Sequence, residues 1–123
     1  MFAVTITITD RTQTPQNLYT LITKGSQTGY TVAPAAGIAP SNLTQSQTGC
    51  VSYLSIQASY KNGGTTVYKG DENVKNDGSR QAKELNAGDT DVQQAYSYST
   101  NLNEIYLTAS ANAAVVNVEF HYA

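Results

Sequence analysis

Between residues 2 and 9 the chain alternates without a break, Phe2, Val4, Ile6 and Ile8 on one phase and Ala3, Thr5, Thr7 and Thr9 on the other. A period of two gives a strand one apolar face and one polar face, and it cannot supply the stripe that a helix needs. The same grammar returns at residues 51 to 60, where Leu54, Ile56 and Ala58 oppose Tyr53, Ser55 and Gln57. It returns again at 104 to 109, with Ile105, Leu107 and Ala109 against Tyr106 and Thr108, and at 115 to 122, with Val116, Val118, Phe120 and Tyr122 in phase. Weaker strands are expected at 65 to 69 and at 91 to 99, the latter carried by Val92, Tyr96 and Tyr98. Pro34, Gly37 and Pro40 restrict residues 29 to 42 to short extended pieces and turns, because proline donates nothing to a ladder.

Asn62-Gly63-Gly64 tolerates positive φ and predicts a hairpin joining the strands at 51 to 60 and 65 to 69. Asn76-Asp77-Gly78 marks a further turn. One helix is expected after the first strand: Thr14 can cap it, Pro15 suits its first position, and Leu18, Leu21 and Ile22 share a side. Lys24 and Gly25 end it. Seven or eight short strands with one short N-terminal helix predict a single all-β domain over residues 1 to 123, an antiparallel β-sandwich or jelly roll.

Composition narrows the function. Thr, Ser, Asn and Gln supply 45 of the 123 residues, charged residues are 13%, and the net charge is −2, so the chain folds but has no basic field for nucleic acid. A single His, a single Cys and no Trp leave few parts for catalysis, and the chain reads as a non-enzyme without a cofactor. Cys50 has no disulfide partner in the chain and no metal-ligand spacing, and reads as a small apolar residue. Neither a signal peptide nor an apolar run long enough for a membrane span is apparent, so cytoplasmic synthesis and no membrane partner are expected.

Glu119 and His121 share a strand face, but no nucleophile motif or second histidine accompanies them, and they read as an ordinary surface pair. Asp71-Glu72-Asn73-Val74-Lys75-Asn76 has Lys75 and Asn76 where a calcium loop wants an oxygen ligand and a glycine, so no metal is expected. Asn42-Leu43-Thr44 matches the N-glycosylation pattern and, without a signal peptide, reads as accidental.

Charge is unevenly placed. Residues 25 to 60 carry none, residues 92 to 123 carry only Glu104 and Glu119, and residues 61 to 91 hold 11 of the 16 charges. Charged edges discourage association of β proteins, so their scarcity points to surfaces covered by another subunit. Outward tyrosines such as Tyr53 and Tyr106 suit a protein interface, or stacking on sugar rings.

The segments Tyr53-Leu54-Ser55-Ile56-Gln57-Ala58, Val67-Tyr68-Lys69-Gly70-Asp71-Glu72-Asn73-Val74, Leu85-Asn86-Ala87-Gly88-Asp89 and Asn101-Leu102-Asn103-Glu104-Ile105-Tyr106 carry a resemblance. Together they resemble a small β-sandwich protein recurrent in tailed-bacteriophage genomes. The resemblance implies a structural virion component, a head decoration or cement protein on the capsid surface that binds the major capsid protein and forms a homotrimer. It supplies no catalytic residue. Gly70 and Gly88 read as tight turns, and Asp71 and Asp89 as residues that bond their own turn. On this reading the interface residues are Phe2, Val4, Thr5, Thr7, Thr9, Tyr53 and Tyr106, and residues 1 to 9 are a strand available for addition to a neighbour's sheet. The alternative is a carbohydrate- or receptor-binding module of a fibre or tail.

Overall fold

A computed structural model describes residues 2–34, 50–94 and 100–122. The chain is an all-β sandwich of two antiparallel sheets. The larger is built from β1 (Phe2–Ile8), β3 (Tyr30–Pro34), β4 (Cys50–Ala58), β7 (Thr90–Gln94), β8 (Thr100–Asn101) and β10 (Ala114–Tyr122). Its order is β3-β1-β10-β4-β7, with β8 following β7 along the same side of β4. The smaller has the order β2-β9-β5-β6, from β2 (Gln16–Asn17), β9 (Tyr106–Ala109), β5 (Val67–Gly70) and β6 (Lys83–Leu85).

The alternating patterns dictate the core. Val4, Ile6 and Ile8 of β1, Leu54, Ile56 and Ala58 of β4, and Val116, Val118 and Phe120 of β10 are all buried, and they meet Val67, Leu85, Leu107 and Ala109 of the smaller sheet. Tyr30 crosses the sandwich, and its hydroxyl donates to the Leu107 carbonyl at 2.6 Å. Burial pushes that phenol's pKa up.

The helix α1 (Leu18–Lys24) closes one end, with Leu18, Leu21 and Ile22 buried. Its cap is Asn17 rather than Thr14, because Gln16 and Asn17 are held extended against Leu107 and Tyr106. The Asn17 Oδ1 accepts from the Thr20 N–H at 2.7 Å, and Gly25 ends the helix at φ 79° as the sequence predicts. Gly29 is needed for a second reason besides its φ of 84°, since a Cβ there would lie 2.8 Å from the Gln13 side chain and 2.9 Å from the Asp10 carbonyl.

The hairpin expected at residues 62 to 64 does not form. β4 pairs with β10, β7 and β8, while β5 lies in the other sheet. A 3-10 turn at Tyr60–Asn62 carries the chain across, and the Asn62 side chain fastens it: its Nδ2 donates to the Val115 carbonyl and its Oδ1 accepts from the Val115 N–H, both at 2.9 Å. Tyr60 is 76% exposed on that turn. Gly70 does not mark a positive-φ turn. It leaves room for Val74, whose Cβ would sit 3.0 Å from an added Cβ. Gly88 does turn, at φ 88°, and Asp71 and Asp89 accept from the N–H groups of Asn73 and Asn86. The pieces read at residues 35 to 42, the acceptor pattern at Asn42, the tyrosines Tyr96 and Tyr98, and the side chains of Cys50 and Tyr122 lie outside the described residues.

Three exposed carboxyls sit in turns that hold them ionised. The Thr12 hydroxyl, then Gln13, lowers the Asp10 pKa; the Asn73 N–H, then Arg80, lowers that of Asp71; Ser79 lowers that of Asp77. A carboxyl with a folded pKa below its unfolded value stabilises the fold at every pH above the unfolded value, and that contribution is lost as pH falls through the folded value. The melting temperature is therefore expected to be insensitive to these groups from about pH 8 to about pH 5 and to drop below about pH 4. A triple Asp10→Asn, Asp71→Asn, Asp77→Asn variant should show a smaller drop in thermal melts run over the same pH series; an equal drop would contradict the assignment.

Candidate interaction surface

The strand register lays out the outer face of the larger sheet row by row. Ala33, Thr5, Asn117, Gln57 and Thr90 form one row across five strands. Ala3, Glu119, Ser55 and Val92 form the next, and His121, Tyr53 and Gln94 the one beyond. Thr31, Thr7 and Val115 complete the face on the other side. Of these, Glu119 is the one carboxylate and none is a lysine or arginine, among the described residues. The threonine ladder read from the first strand is thus one column of a broad, charge-poor polar surface. The Thr5 hydroxyl donates to the Asn117 Oδ1 at 3.2 Å, and the His121 ring meets Tyr53 edge-on with centroids 5.6 Å apart.

The interface residues read from the sequence divide four ways. Thr5, Thr7 and Tyr53 lie on this face. Val4 is in the core, and Phe2 turns the same way, its ring stacked on Phe120 at 5.4 Å. Thr9 is exposed just past β1, its N–H bonded to the Gly29 carbonyl. β1 pairs with β10 along its whole length and with β3 from Val4 to Ile8, so from Val4 to Ile8 its main-chain groups have partners on both sides and are not open for addition to a neighbour's sheet.

Tyr106 belongs to the other sheet and is not brought near Tyr53. It lines a groove of about 440 Å³ with Asp71, Glu72, Asn103 and Glu104. Asn103 and Glu104 reach it from a 3-10 turn at Leu102–Glu104, which Asn101 caps by accepting the Asn103 N–H at 2.9 Å. The alternation at 104 to 109 gives no sign of this turn; the signal that could have found it is Asn101, standing where a cap belongs.

The charged middle of the chain is mostly a solvated rim, with one exception. Lys69 of β5 and Asp91 of β7 turn inward and join the two sheets, Nζ to Oδ2 at 2.5 Å, with side chains 10% and 18% exposed. No group of three or more His, Cys, Asp or Glu able to hold a metal ion occurs among the described residues. No helix there is long and apolar enough to cross a membrane. No protein-family model matches the chain, and no curated protein or solved structure matches it either.

Proposed function

We propose that this is a non-catalytic structural protein that docks through the outer face of its larger sheet onto a protein lattice, in the manner of a head decoration protein on a phage capsid. The observation that carries this reading is the near absence of charge across that face, together with its threonine, asparagine and glutamine rows. Such a surface loses little by desolvation, because few ionised groups must give up water, and its amides and hydroxyls are ready partners for main-chain groups of a neighbour. Repetition over a lattice lets modest single contacts add up. The groove at Tyr106, with an aromatic ring, an amide and three carboxylates converging, supports a second reading, that of a receptor or glycan site.

Purified protein mixed with assembled capsids of its phage is expected to co-sediment at a fixed copy ratio and to raise their disassembly temperature. Thr7→Lys with Gln57→Lys places two charges on the face at positions that do not oppose each other across a strand pair and should abolish attachment while leaving the melting curve of the free protein unchanged. Co-sedimentation that survives this pair but is lost with Tyr106→Ala would transfer the contact to the groove, and no co-sedimentation with any such capsid would end the proposal.

A further inference from the structure

Asn62 is the one asparagine of the chain's ten that is followed by glycine. Asparagine is a thermolabile side chain, and glycine is the following residue that protects it least, because no Cβ hinders the next main-chain nitrogen on its way to the amide carbon. Gly63 is exposed, at φ 62°, and a Cβ built on it would have nothing within 4 Å. The turn is therefore open to water at the point where the amide is most vulnerable.

The same amide is a structural part. The ladder between β4 and β10 ends at the pair Ala58 and Val116, which leaves Val115 beyond it. There the Asn62 side chain stands in for a main-chain peptide: its Nδ2 donates to the Val115 carbonyl and its Oδ1 accepts from the Val115 N–H, both at 2.9 Å. The Ser59 N–H donates to that carbonyl as well, at 2.9 Å. Both ends of the amide are engaged, so the side chain must break two hydrogen bonds and rotate before its Cγ can meet the Gly63 nitrogen.

We propose that Asn62 is a deamidation site guarded by its own bonds to Val115, and that its modification unfastens the crossing from β4 to β5. In an opened turn the Gly63 nitrogen forms a bond to the Asn62 Cγ, the Cγ–Nδ2 bond breaks, and ammonia leaves with the proton given up by Gly63. The cyclic imide then takes up one water at either of its carbonyls and opens to aspartate or isoaspartate. Either product has a carboxylate oxygen where Nδ2 was. A carboxylate donates nothing, so that oxygen would face the Val115 carbonyl as acceptor against acceptor. Isoaspartate also lengthens the main chain of the turn by one carbon. A passing opening of the turn is thereby made permanent, because the side chain that would close it again has lost its donor.

Incubation of the full chain at mildly alkaline pH, with and without urea, followed by peptide mass mapping, tests this. In urea Asn62 is expected to convert ahead of every other asparagine. In the folded protein its conversion should be slower by on the order of tenfold or more, since only molecules with the turn open can react. An Asn62 that stays intact in urea would overturn the site, and equal rates in the two states would overturn the guard. Asn62→Asp, made directly, should melt at a lower temperature and exchange its Val115 amide hydrogen faster than the wild type; protection at Val115 equal to the wild type would show that the amide is not the fastener. None of these measurements involves a capsid, so their outcome is independent of the docking surface.

Discussion

Replacing Lys69 by alanine is expected to destabilise the protein by about 3 kcal/mol, because Asp91 would then keep its charge in a mostly buried position with no cation to compensate it. For a domain of this size that is a fall of about 10 °C in melting temperature. The pair joins the two sheets at the β7 edge, Nζ to Oδ2 at 2.5 Å, and it is the more buried of the two ion pairs found among the described residues. The other, Arg80 with Asp71, is more than half exposed on both sides, and its loss should leave stability nearly unchanged at neutral pH. Replacing both members of the buried pair, Lys69→Met with Asp91→Leu, should recover most of the loss, since an apolar pair of similar volume has no desolvation cost to offset. Urea titrations of the wild type, the single and the double variant measure this directly; equal losses in the single and double variants would show that the charge interaction is not what matters.

Arg11→Ala should cost about 2–3 kcal/mol, from the loss of two charge-assisted guanidinium hydrogen bonds, while the bonds made by its main chain remain. The Arg11 Nε donates to the Ala109 carbonyl at 3.2 Å and its Nη2 to the Asn76 carbonyl at 3.1 Å, while the Asn76 Nδ2 donates back to the Arg11 carbonyl at 2.9 Å. Its N–H adds a bond to the Asn112 Oδ1 at 2.8 Å. One residue thus ties the loop after β1 to the β9–β10 connection and to the charged loop between β5 and β6. Two of these contacts use the guanidinium fork, so Arg11→Lys is expected to lose nearly as much as alanine. Hydrogen exchange should show faster exchange at residues 75 to 78 in either variant; protection there equal to the wild type would contradict the account.

The sandwich was legible wherever apolar residues alternated with polar ones, as in β1, β4, β9 and β10, because burial on one face is what fixes a strand's phase. β7 shows where that logic fails. Val92, Tyr96 and Tyr98 are the best apolar residues of a weak polar pattern, yet Val92 faces out, because Lys69 draws Asp91 inward and sets the phase from the opposite sheet. The hairpin at residues 62 to 64 failed for a related reason. Asn62 and Gly63 suit a turn, but the Asn62 amide bonds to Val115, more than fifty residues away, and a tertiary partner of that kind leaves no local trace. The charge-poor surface was legible in bulk, through the empty stretches of the sequence. Its composition by strand needed the register, which moved Phe2 and Val4 to the core side and left Thr5 and Thr7 outside.

The pairing of β1 with β10 has a consequence for how the chain is made. Thr5 and Asn117 bond across 112 positions, so the centre of the larger sheet cannot assemble until β10 has emerged from the ribosome. Until then the Phe2, Val4, Ile6 and Ile8 face has no lasting cover. Closure over so long a separation is slow compared with local pairing, and the exposed strand is open to wrong partners in the interval. The threonines on its other face reduce that hazard, since they keep the waiting strand apolar on one side only.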